Sequence, residues 1–137
     1  MKYGRFVTYL IFIAVTIALS GCAAKQAYEG EKQPAEQVAL IKGSTNPFGT
    51  SASITSIDGE EGMRWTSGEV EALPGYHELE VFLQSGIYYI YYFGKAKVSF
   101  TAKAGHVYRV EGKMRQEKLW AWIIDESDNS VVGGMKP

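Results

Sequence analysis

The feature that most constrains the fold of this chain is a series of short apolar runs, spaced about ten residues apart after Gln37. Turn residues separate the runs, as in Asp58-Gly59 and Pro74-Gly75. Between His77 and Gln84, apolar and polar residues alternate, which is the two-residue period of a half-buried strand. No part of this region shows a 3.6-residue apolar period with helix caps. The pattern therefore predicts an all-β domain over residues 38–137.

Two of the runs favour a sandwich over a barrel. Ile87–Phe93 and Leu119–Ile124 are apolar or aromatic on both faces, whereas Val98–Ala102 alternates. Strands at the centre of packed sheets have such a composition. Hydrophobic residues make up 46% of the 137 positions, which is enough for one core. We expect a small immunoglobulin-like antiparallel β-sandwich of roughly seven to nine short strands.

The amino-terminal segment predicts export from the cytoplasm. Lys2 and Arg5 precede an apolar run over residues 6–19, FVTYLIFIAVTIAL. This run is shorter than the roughly 20 residues of a membrane-spanning helix, but it has the length of the apolar region of a signal peptide. Residues 1–21 are therefore predicted to be a signal peptide.

A short motif, Leu19-Ser20-Gly21-Cys22, follows this apolar run directly. With this motif the chain resembles a bacterial lipoprotein precursor, and Leu19, Ser20, Gly21 and Cys22 fit the lipobox of that group. The resemblance implies attachment of a diacylglycerol to the Cys22 thiol, cleavage before Cys22 and acylation of the new amino terminus. Several acyl chains hold a protein firmly at a membrane that it does not span.

The same resemblance implies an address in the cell envelope. In Gram-negative lipoproteins an Asp after the lipidated Cys commonly marks retention in the inner membrane, and this chain has Ala23 there. We therefore expect an outer-membrane anchor facing the periplasm if the source has an outer membrane. Residues 22–37 are polar, with one Pro and no apolar period, and are predicted to be the lipidated Cys22 and a flexible tether.

A second resemblance covers most of the domain. A run of short motifs makes the chain similar to a loose group of small bacterial envelope lipoproteins with no assigned activity. The resemblance implies a β-sandwich in the envelope and brings no substrate or catalytic residue. The motifs are Tyr28-Glu29-Gly30, Pro34, Val38-Ala39, Ile57-Asp58-Gly59, Leu73-Pro74-Gly75-Tyr76-His77, Ala104-Gly105-His106-Val107-Tyr108-Arg109 and Ile124-Asp125-Glu126.

Composition argues against several classes of function. The net charge is −1, from 14 Lys and Arg against 15 Asp and Glu, so no basic excess supports binding of nucleic acid. The single cysteine excludes an intramolecular disulfide, and two histidines, His77 and His106, leave little material for a metal site. No Gly-x-Ser-x-Gly motif occurs. We predict no catalytic residue, metal or cofactor, and expect both histidines to hydrogen-bond nearby turn backbone.

The aromatic residues are the candidates for a binding surface. Residues at positions i and i+2 of a strand share a face, so neighbouring rings could form a flat stacking surface for sugars or proteins. In the other interpretation, one face fills the core and a loop or the tether covers the other. The candidate residues are Trp120 and Trp122 in one predicted strand, and Tyr88, Tyr89, Tyr91 and Tyr92 in another.

The sequence therefore predicts a non-enzymatic, lipid-anchored cell-envelope protein that serves as a structural or protein-interaction module. The alternative is a carbohydrate- or peptidoglycan-binding lipoprotein that uses the aromatic strands. The expected partners are the membrane, through the lipid on Cys22, and an envelope protein or a cell-wall glycan.

Overall fold

A computed structural model describes residues 24–61, 68–87 and 90–137 of the chain, and these parts are built almost entirely from β-strands. A short 3₁₀ helix, Ala35–Gln37, lies between the first two strands. The strands are β1 (Lys25–Gln26), β2 (Ala39–Lys42), β3 (Thr50–Ile57), β4 (Glu60–Glu61), β5 (Glu69–Ala72), β6 (Gly75–Ile87), β7 (Ile90–Ala102), β8 (Val107–Arg115), β9 (Lys118–Asp125) and β10 (Ser130–Gly134).

The strands form two packed sheets. One sheet has the order β1-β5-β2-β8-β9-β10, and the other has the order β4-β3-β6-β7. The predicted small β-sandwich is therefore confirmed. Two strands are longer than expected, since β6 and β7 have 13 residues each and pair along their whole length. They form one long hairpin because no Pro or left-handed residue interrupts either strand after Gly75.

The alternating patterns place the core where the sequence predicts it. Leu79, Val81 and Leu83 of β6 are fully buried, while Glu78 and Glu80, which alternate with them, face outward. Facing side chains of the other sheet complete the core. The strictly alternating strands thus each give one face to the core and one to the surface.

Tyr108 ties the core to a turn. Its ring is 1% exposed and meets Phe100 edge to face, with ring centroids 4.8 Å apart. Its hydroxyl accepts a hydrogen bond of 2.9 Å from the backbone N–H of Lys103, five residues earlier. Burial of the ring raises the pKa of the Tyr108 hydroxyl, and the hydrogen bond from Lys103 opposes that rise. The turn before β8 is therefore fixed to the core by one buried phenol.

Two pairings differ from the antiparallel arrangement that the sequence predicted. β2 runs parallel to β8, with Ile41 opposite Tyr108, and β1 runs parallel to β5, with Lys25 opposite Val70. The remaining strand pairs are antiparallel. Parallel partners far apart in the chain leave no local turn signal, so alternation alone does not reveal them.

The structure also differs from the predicted tether over the residues after Ala24. Lys25–Gln26 is a strand of the sheet, and the N–H of Ala27 donates to the carbonyl of Glu71 at 2.8 Å. Lys32 forms an ion pair with Glu71 at 3.2 Å. The described part of the predicted tether therefore contacts the sheet at Lys25–Ala27 and at Lys32.

Strand direction gives the sandwich two distinct ends. The Phe48 end comprises the loop 43–49, the end of the β6–β7 hairpin and the end of the β8–β9 hairpin. The N–H of Met114 donates to the Thr50 hydroxyl at 3.2 Å there, which joins the two sheets. The histidine end carries His77 at the start of β6 and His106 just before β8.

Candidate functional site

The residues of the lipobox lie outside the described parts of the chain. Leu19, Ser20, Gly21 and Cys22 all precede Ala24, where the description begins. Within the described ranges, no helix is long and apolar enough to cross a bilayer.

The two tryptophans lie on the outer face of the six-stranded sheet. Ala121 lies between them in β9 and Ile123 follows Trp122, and both belong to the core. Because neighbouring residues of a strand face opposite sides, Trp120 and Trp122 point away from the core. Trp120 is half-buried, but Trp122 is only 5% exposed. The Nζ atom of Lys136, from the carboxyl-terminal tail, lies 5.8 Å from the Trp122 ring centroid. Trp122 therefore presents no open stacking surface.

The tyrosine strand is only partly described. Tyr88 and Tyr89 lie outside the described residues, and so does the side chain of Tyr91. Tyr92 is 54% exposed, and its neighbour Phe93 is 72% exposed. Phe93 was not among the predicted binding residues, although it ends the same aromatic run. The structure thus leaves exposed rings at this hairpin and buries Trp122.

A groove of about 700 Å³ opens beside Trp122, between the loop 43–49 and β8. β8 pairs with β2 only over Val107–Arg109, because the chain leaves β2 after Lys42 and crosses to the other sheet. The edge of β8 beyond Arg109 therefore faces the loop across the groove. Side chains that line it include Asn46, Thr50, Arg109, Glu111, Lys113 and Trp122.

Charged side chains form a network along one wall of the groove. Arg109 Nε donates to Glu111 at 2.9 Å, and Arg109 Nη1 donates to Glu126 at 3.1 Å. Lys42 Nζ lies 3.6 Å from the other carboxylate oxygen of Glu126. The hydrogen bond to Glu111, assisted by the charges of both carboxylates, raises the pKa of Arg109 against the effect of burial. The arginine is thus held in place and permanently charged.

One donor beside this network is unused. The indole Nε1 of Trp122 is buried and has no hydrogen-bond partner within the described part of the chain. A buried N–H without a partner costs about 1–3 kcal/mol, so such groups are uncommon. The groove therefore combines fixed charges with an unsatisfied donor, which is a composition suited to a polar ligand.

Two His–Asp pairs lie at the opposite end of the sandwich. His77 Nδ1 is 2.6 Å from Asp58 Oδ2, and its Nε2 donates to the carbonyl of Leu73 at 2.6 Å. The expected bond to turn backbone is therefore confirmed for His77. His106 instead pairs through Nδ1 with the Asp125 carboxylate at 2.7 Å. Asp58 lies in the turn between β3 and β4. Asp58 and Gly59 both adopt positive φ there, as a tight two-residue hairpin requires.

Asp125 is the more buried of the two carboxylates. Burial opposes its ionisation, but hydrogen bonds from the hydroxyl and N–H of Ser127 and from His106 outweigh burial and lower the pKa of Asp125. Its side chain is 5% exposed. A carboxylate that orients a histidine also occurs in catalytic triads, but a triad needs a nucleophile on the other ring nitrogen. In the described ranges neither histidine is hydrogen-bonded to a Ser or Thr hydroxyl.

The described residues offer no metal centre. No group of three His, Cys, Asp or Glu side chains in ranges 24–61, 68–87 and 90–137 could hold an ion. The two His–Asp pairs instead fasten turns at the histidine end, since each bridges the start of one strand to a turn or strand end elsewhere in the chain.

In the described part of the chain, these observations define a small two-sheet β-sandwich with a polar groove at its Phe48 end. No family model, no curated protein sequence and no solved structure matches the chain.

Proposed function

We propose that this protein is a non-enzymatic, lipid-anchored protein of the bacterial cell envelope, in which the β-sandwich acts as a structural or protein-interaction module. The observation that carries the proposal is Leu19-Ser20-Gly21-Cys22 directly after a basic and apolar leader. In an organism with two membranes, Ala23 favours the outer membrane, with the domain in the periplasm. The partner is an envelope protein that contacts the exposed surface of the domain.

The absence of a nucleophile beside either described histidine supports the non-enzymatic part of this proposal. Ser127, the hydroxyl nearest to the His106 pair in the hydrogen-bond network, donates to Asp125 and not to the histidine. Asp125 also pairs with His106 through its other carboxylate oxygen. Ser127 is therefore placed to stabilise the turn after β9 and not to act as a nucleophile. Turnover of a cell-wall substrate that one point mutation abolishes would contradict this part.

The anchor is tested by mass spectrometry and palmitate labelling of the full chain in a bacterial host. We expect the mature product to begin at Cys22 and to carry a diacylglycerol and an amide-linked acyl chain. The Cys22→Ser variant should lose both the label and the membrane association. A matched Ser20→Ala variant keeps a small residue in the motif and should retain the label. An unmodified Cys22 thiol in the mature protein would refute the proposal.

The groove supports a second candidate function, which is binding of carbohydrate or peptidoglycan. Saccharide hydroxyls are commonly recognised by fixed charged and polar groups, and the groove offers Arg109 and Glu111 beside the buried Trp122. The unsatisfied Trp122 Nε1 would gain an acceptor if the groove opened slightly around a bound hydroxyl. Exposed aromatic strands, as the sequence predicted, are less suited to this role because Trp122 is covered.

Co-sedimentation with purified sacculi tests this second function. The Glu111→Gln variant should reduce binding, because it removes the charge that orients Arg109 with little change of shape. Lys97→Ala is the matched control, since Lys97 is exposed on the other sheet and forms an ion pair with Glu78. Equal binding by both variants and the parent, or no binding by any of them, would remove the carbohydrate candidate.

A further inference from the structure

Strand β8 loses its neighbour on one side partway along its length. Its antiparallel pairing with β9 continues to the end of the hairpin, but its parallel pairing with β2 ends at Arg109, opposite Lys42. The chain then leaves this sheet, because Ser44 pairs with Ala52 at the edge of β3. Residues 110–115 of β8 are therefore an edge within the six-stranded sheet, and the groove lies beside that edge.

The ladder between β8 and β9 determines which backbone groups of β8 point to the groove. The N–H of Glu126 donates to the carbonyl of Val107 at 2.9 Å. In an antiparallel ladder, hydrogen-bonded pairs recur at every second residue, so the odd-numbered residues of β8 bond to β9. The even-numbered residues direct N–H and C=O to the opposite side. Gly112 and Met114, which line the groove, therefore present their backbone groups to it.

Most of these backbone groups have no partner. The N–H of Met114 donates to the Thr50 hydroxyl at 3.2 Å. Gly112 lies beyond the last residue pair of β2 and β8, and no loop within ranges 24–61, 68–87 and 90–137 bonds to its N–H or C=O, or to the carbonyl of Met114. Free backbone groups along a sheet edge are the groups with which an added strand pairs.

The groove has room for a short extended peptide. Its volume is about 700 Å³, and the loop 43–49 bounds it on the side opposite β8. From Arg109 to Met114 the strand advances five residue steps, which is about 17 Å, so a segment of similar length can lie beside it. Gly43 and Gly49 of the loop have no side chains to fill this space.

The charges beside the groove favour an acidic residue in such a peptide. Arg109 is already engaged by Glu111 and Glu126. Lys113 also lines the groove, is exposed, and forms no ion pair with any residue that the structure describes. A carboxylate on the bound segment would therefore find one cation without competition from a neighbouring acid.

The rest of the lining is polar. Thr50 and Ser85 of the four-stranded sheet line the groove, so small polar side chains suit that side of a bound segment. The buried indole N–H of Trp122 needs an acceptor, which a peptide oxygen can provide. A saccharide also has oxygen acceptors, but only a peptide backbone repeats N–H and C=O groups at the two-residue spacing of the β8 edge. The free edge therefore favours a peptide over a glycan.

We propose that residues 110–114 of β8 bind an extended segment of a partner protein by strand addition. The segment lies in the groove in the position that β2 leaves beside β8. Its backbone pairs with Gly112 and with the carbonyl of Met114, and an Asp or Glu side chain contacts Lys113. The inference rests on the proposed role as a protein-interaction module, and it specifies the binding surface and the chemistry of the partner.

Peptide titration of the lipidated full-length protein in detergent micelles tests this inference. The probe is the peptide acetyl-Ser-Val-Thr-Glu-Thr-Val-Ser-amide, in which Glu and Val alternate with small polar residues. Nuclear magnetic resonance of the ¹⁵N-labelled protein follows the Gly112 amide and the Trp122 indole. We expect both signals to shift as these groups gain acceptors, while the amide of Gly105, in a turn at the histidine end, stays unchanged.

Two N-methylated forms of the peptide distinguish strand addition from contact through side chains alone. One form carries methyl groups on the amides of the Val and Glu residues, and the other carries them on the amides of the two Thr residues. These two sets of amides lie on opposite edges of an extended peptide. One form should therefore lose about tenfold or more in affinity, and the other should bind as the unmethylated peptide does.

A charge reversal tests the contact with Lys113. The parent protein should bind the Glu peptide about two- to fivefold more tightly than the same peptide with Lys in place of Glu. The Lys113→Glu variant should prefer the Lys peptide. Lys118→Glu is the matched control, because Lys118 is an exposed residue of the partner strand β9 and does not line the groove. This control should keep the preference of the parent.

The possible failures are distinguishable. Equal affinity for the two N-methylated forms, or an unchanged Gly112 signal with every peptide, would overturn the inference even if Cys22 carries its lipid. Shifts of the Gly112 and Trp122 signals with chitotetraose and not with peptide would assign the groove to a glycan and would also overturn it. So would shifts with protein concentration alone, which would assign the edge to a second copy. A missing lipid mass on Cys22, with peptide binding retained, would refute only the proposed anchor.

Discussion

A glycine of β8 provides a sharp test of the packing between the two sheets. Gly112 faces the core, and a methyl group at this position would overlap Leu83 Cδ2 and lie 3.3 Å from Leu83 Cδ1 and Cγ. Leu83 is fully buried, so its side chain has core neighbours on every side. The backbone of Gly112 is outside the left-handed region, so alanine is compatible with its conformation. The Gly112→Ala variant therefore changes packing and leaves backbone geometry unstrained.

The expected magnitude follows from two opposing effects. Replacing glycine by alanine restricts the unfolded chain and stabilises the fold by about 0.4–1 kcal/mol. Overpacking a filled core destabilises it by about 1–3 kcal/mol. We expect a net loss of about 1–2 kcal/mol in the free energy of unfolding. The Leu83→Ala variant creates a cavity instead and should lose about 2–5 kcal/mol.

The double variant separates packing from other causes. In Gly112→Ala with Leu83→Ala, the new methyl group enters the space that the leucine vacates. The combined loss should be smaller than the sum of the single losses by about 1–2 kcal/mol. The assay is urea unfolding of the chain from Ala24 onward, followed by circular dichroism. Additive losses would refute the contact between β6 and β8, as would a neutral Gly112→Ala variant.

A second glycine is the matched control for this measurement. Gly94 of β7 would place its methyl group against Leu119 Cδ1, but Leu119 is only partly buried and its side chain can move. The Gly94→Ala variant should therefore lose less stability than Gly112→Ala. The order of the two variants tests whether the cost depends on how freely the neighbouring leucine can yield.

Three further predictions concern single contacts. Tyr108→Phe removes the acceptor for the Lys103 N–H and should lower the free energy of unfolding by about 1 kcal/mol, measured by urea unfolding, while near-ultraviolet circular dichroism of the core persists. The lowered pKa of Asp125 means that the unfolded chain binds a proton more readily, so stability from this group is present above about pH 4 and is lost as pH falls below it. The Asp125→Asn variant should therefore lose less of its free energy of unfolding than the parent when the pH falls from roughly 5 to 3. An unchanged pH dependence would contradict this role of Asp125. Gly133→Ala would press a methyl group against the Ser99 carbonyl, which backbone pairing holds in place, so its loss in thermal unfolding should exceed that of Gly94→Ala.

Alternation in the sequence identified the faces of single strands reliably. The pattern around Leu79, Val81 and Leu83 is a local property, because each side chain is assigned to a face by its neighbours at i−1 and i+1. The turn at Asp58-Gly59 was also predicted from the sequence, because both residues adopt the positive φ angles that this pair favours. Both signals lie within a few residues of the chain, and both match the structure.

Burial on the outer face could not be predicted in the same way. Trp122 and Trp120 share a face, as the sequence indicates, but only Trp122 is covered. The groove residues come from the loop 43–49 and from β8, which are far apart in the chain. Lys136, which lies over the Trp122 ring, belongs to the tail that follows β10. A local pattern can show that a ring leaves the core, but what covers it depends on distant parts of the chain.

The first strand depends on long-range pairing in the same way. Lys25–Gln26 joins the sheet through β5, whose partner residue Val70 lies 45 positions later in the chain. Polar composition around Lys25 favours an unpaired segment, and only the distant strand provides the backbone groups that bring it into the sheet.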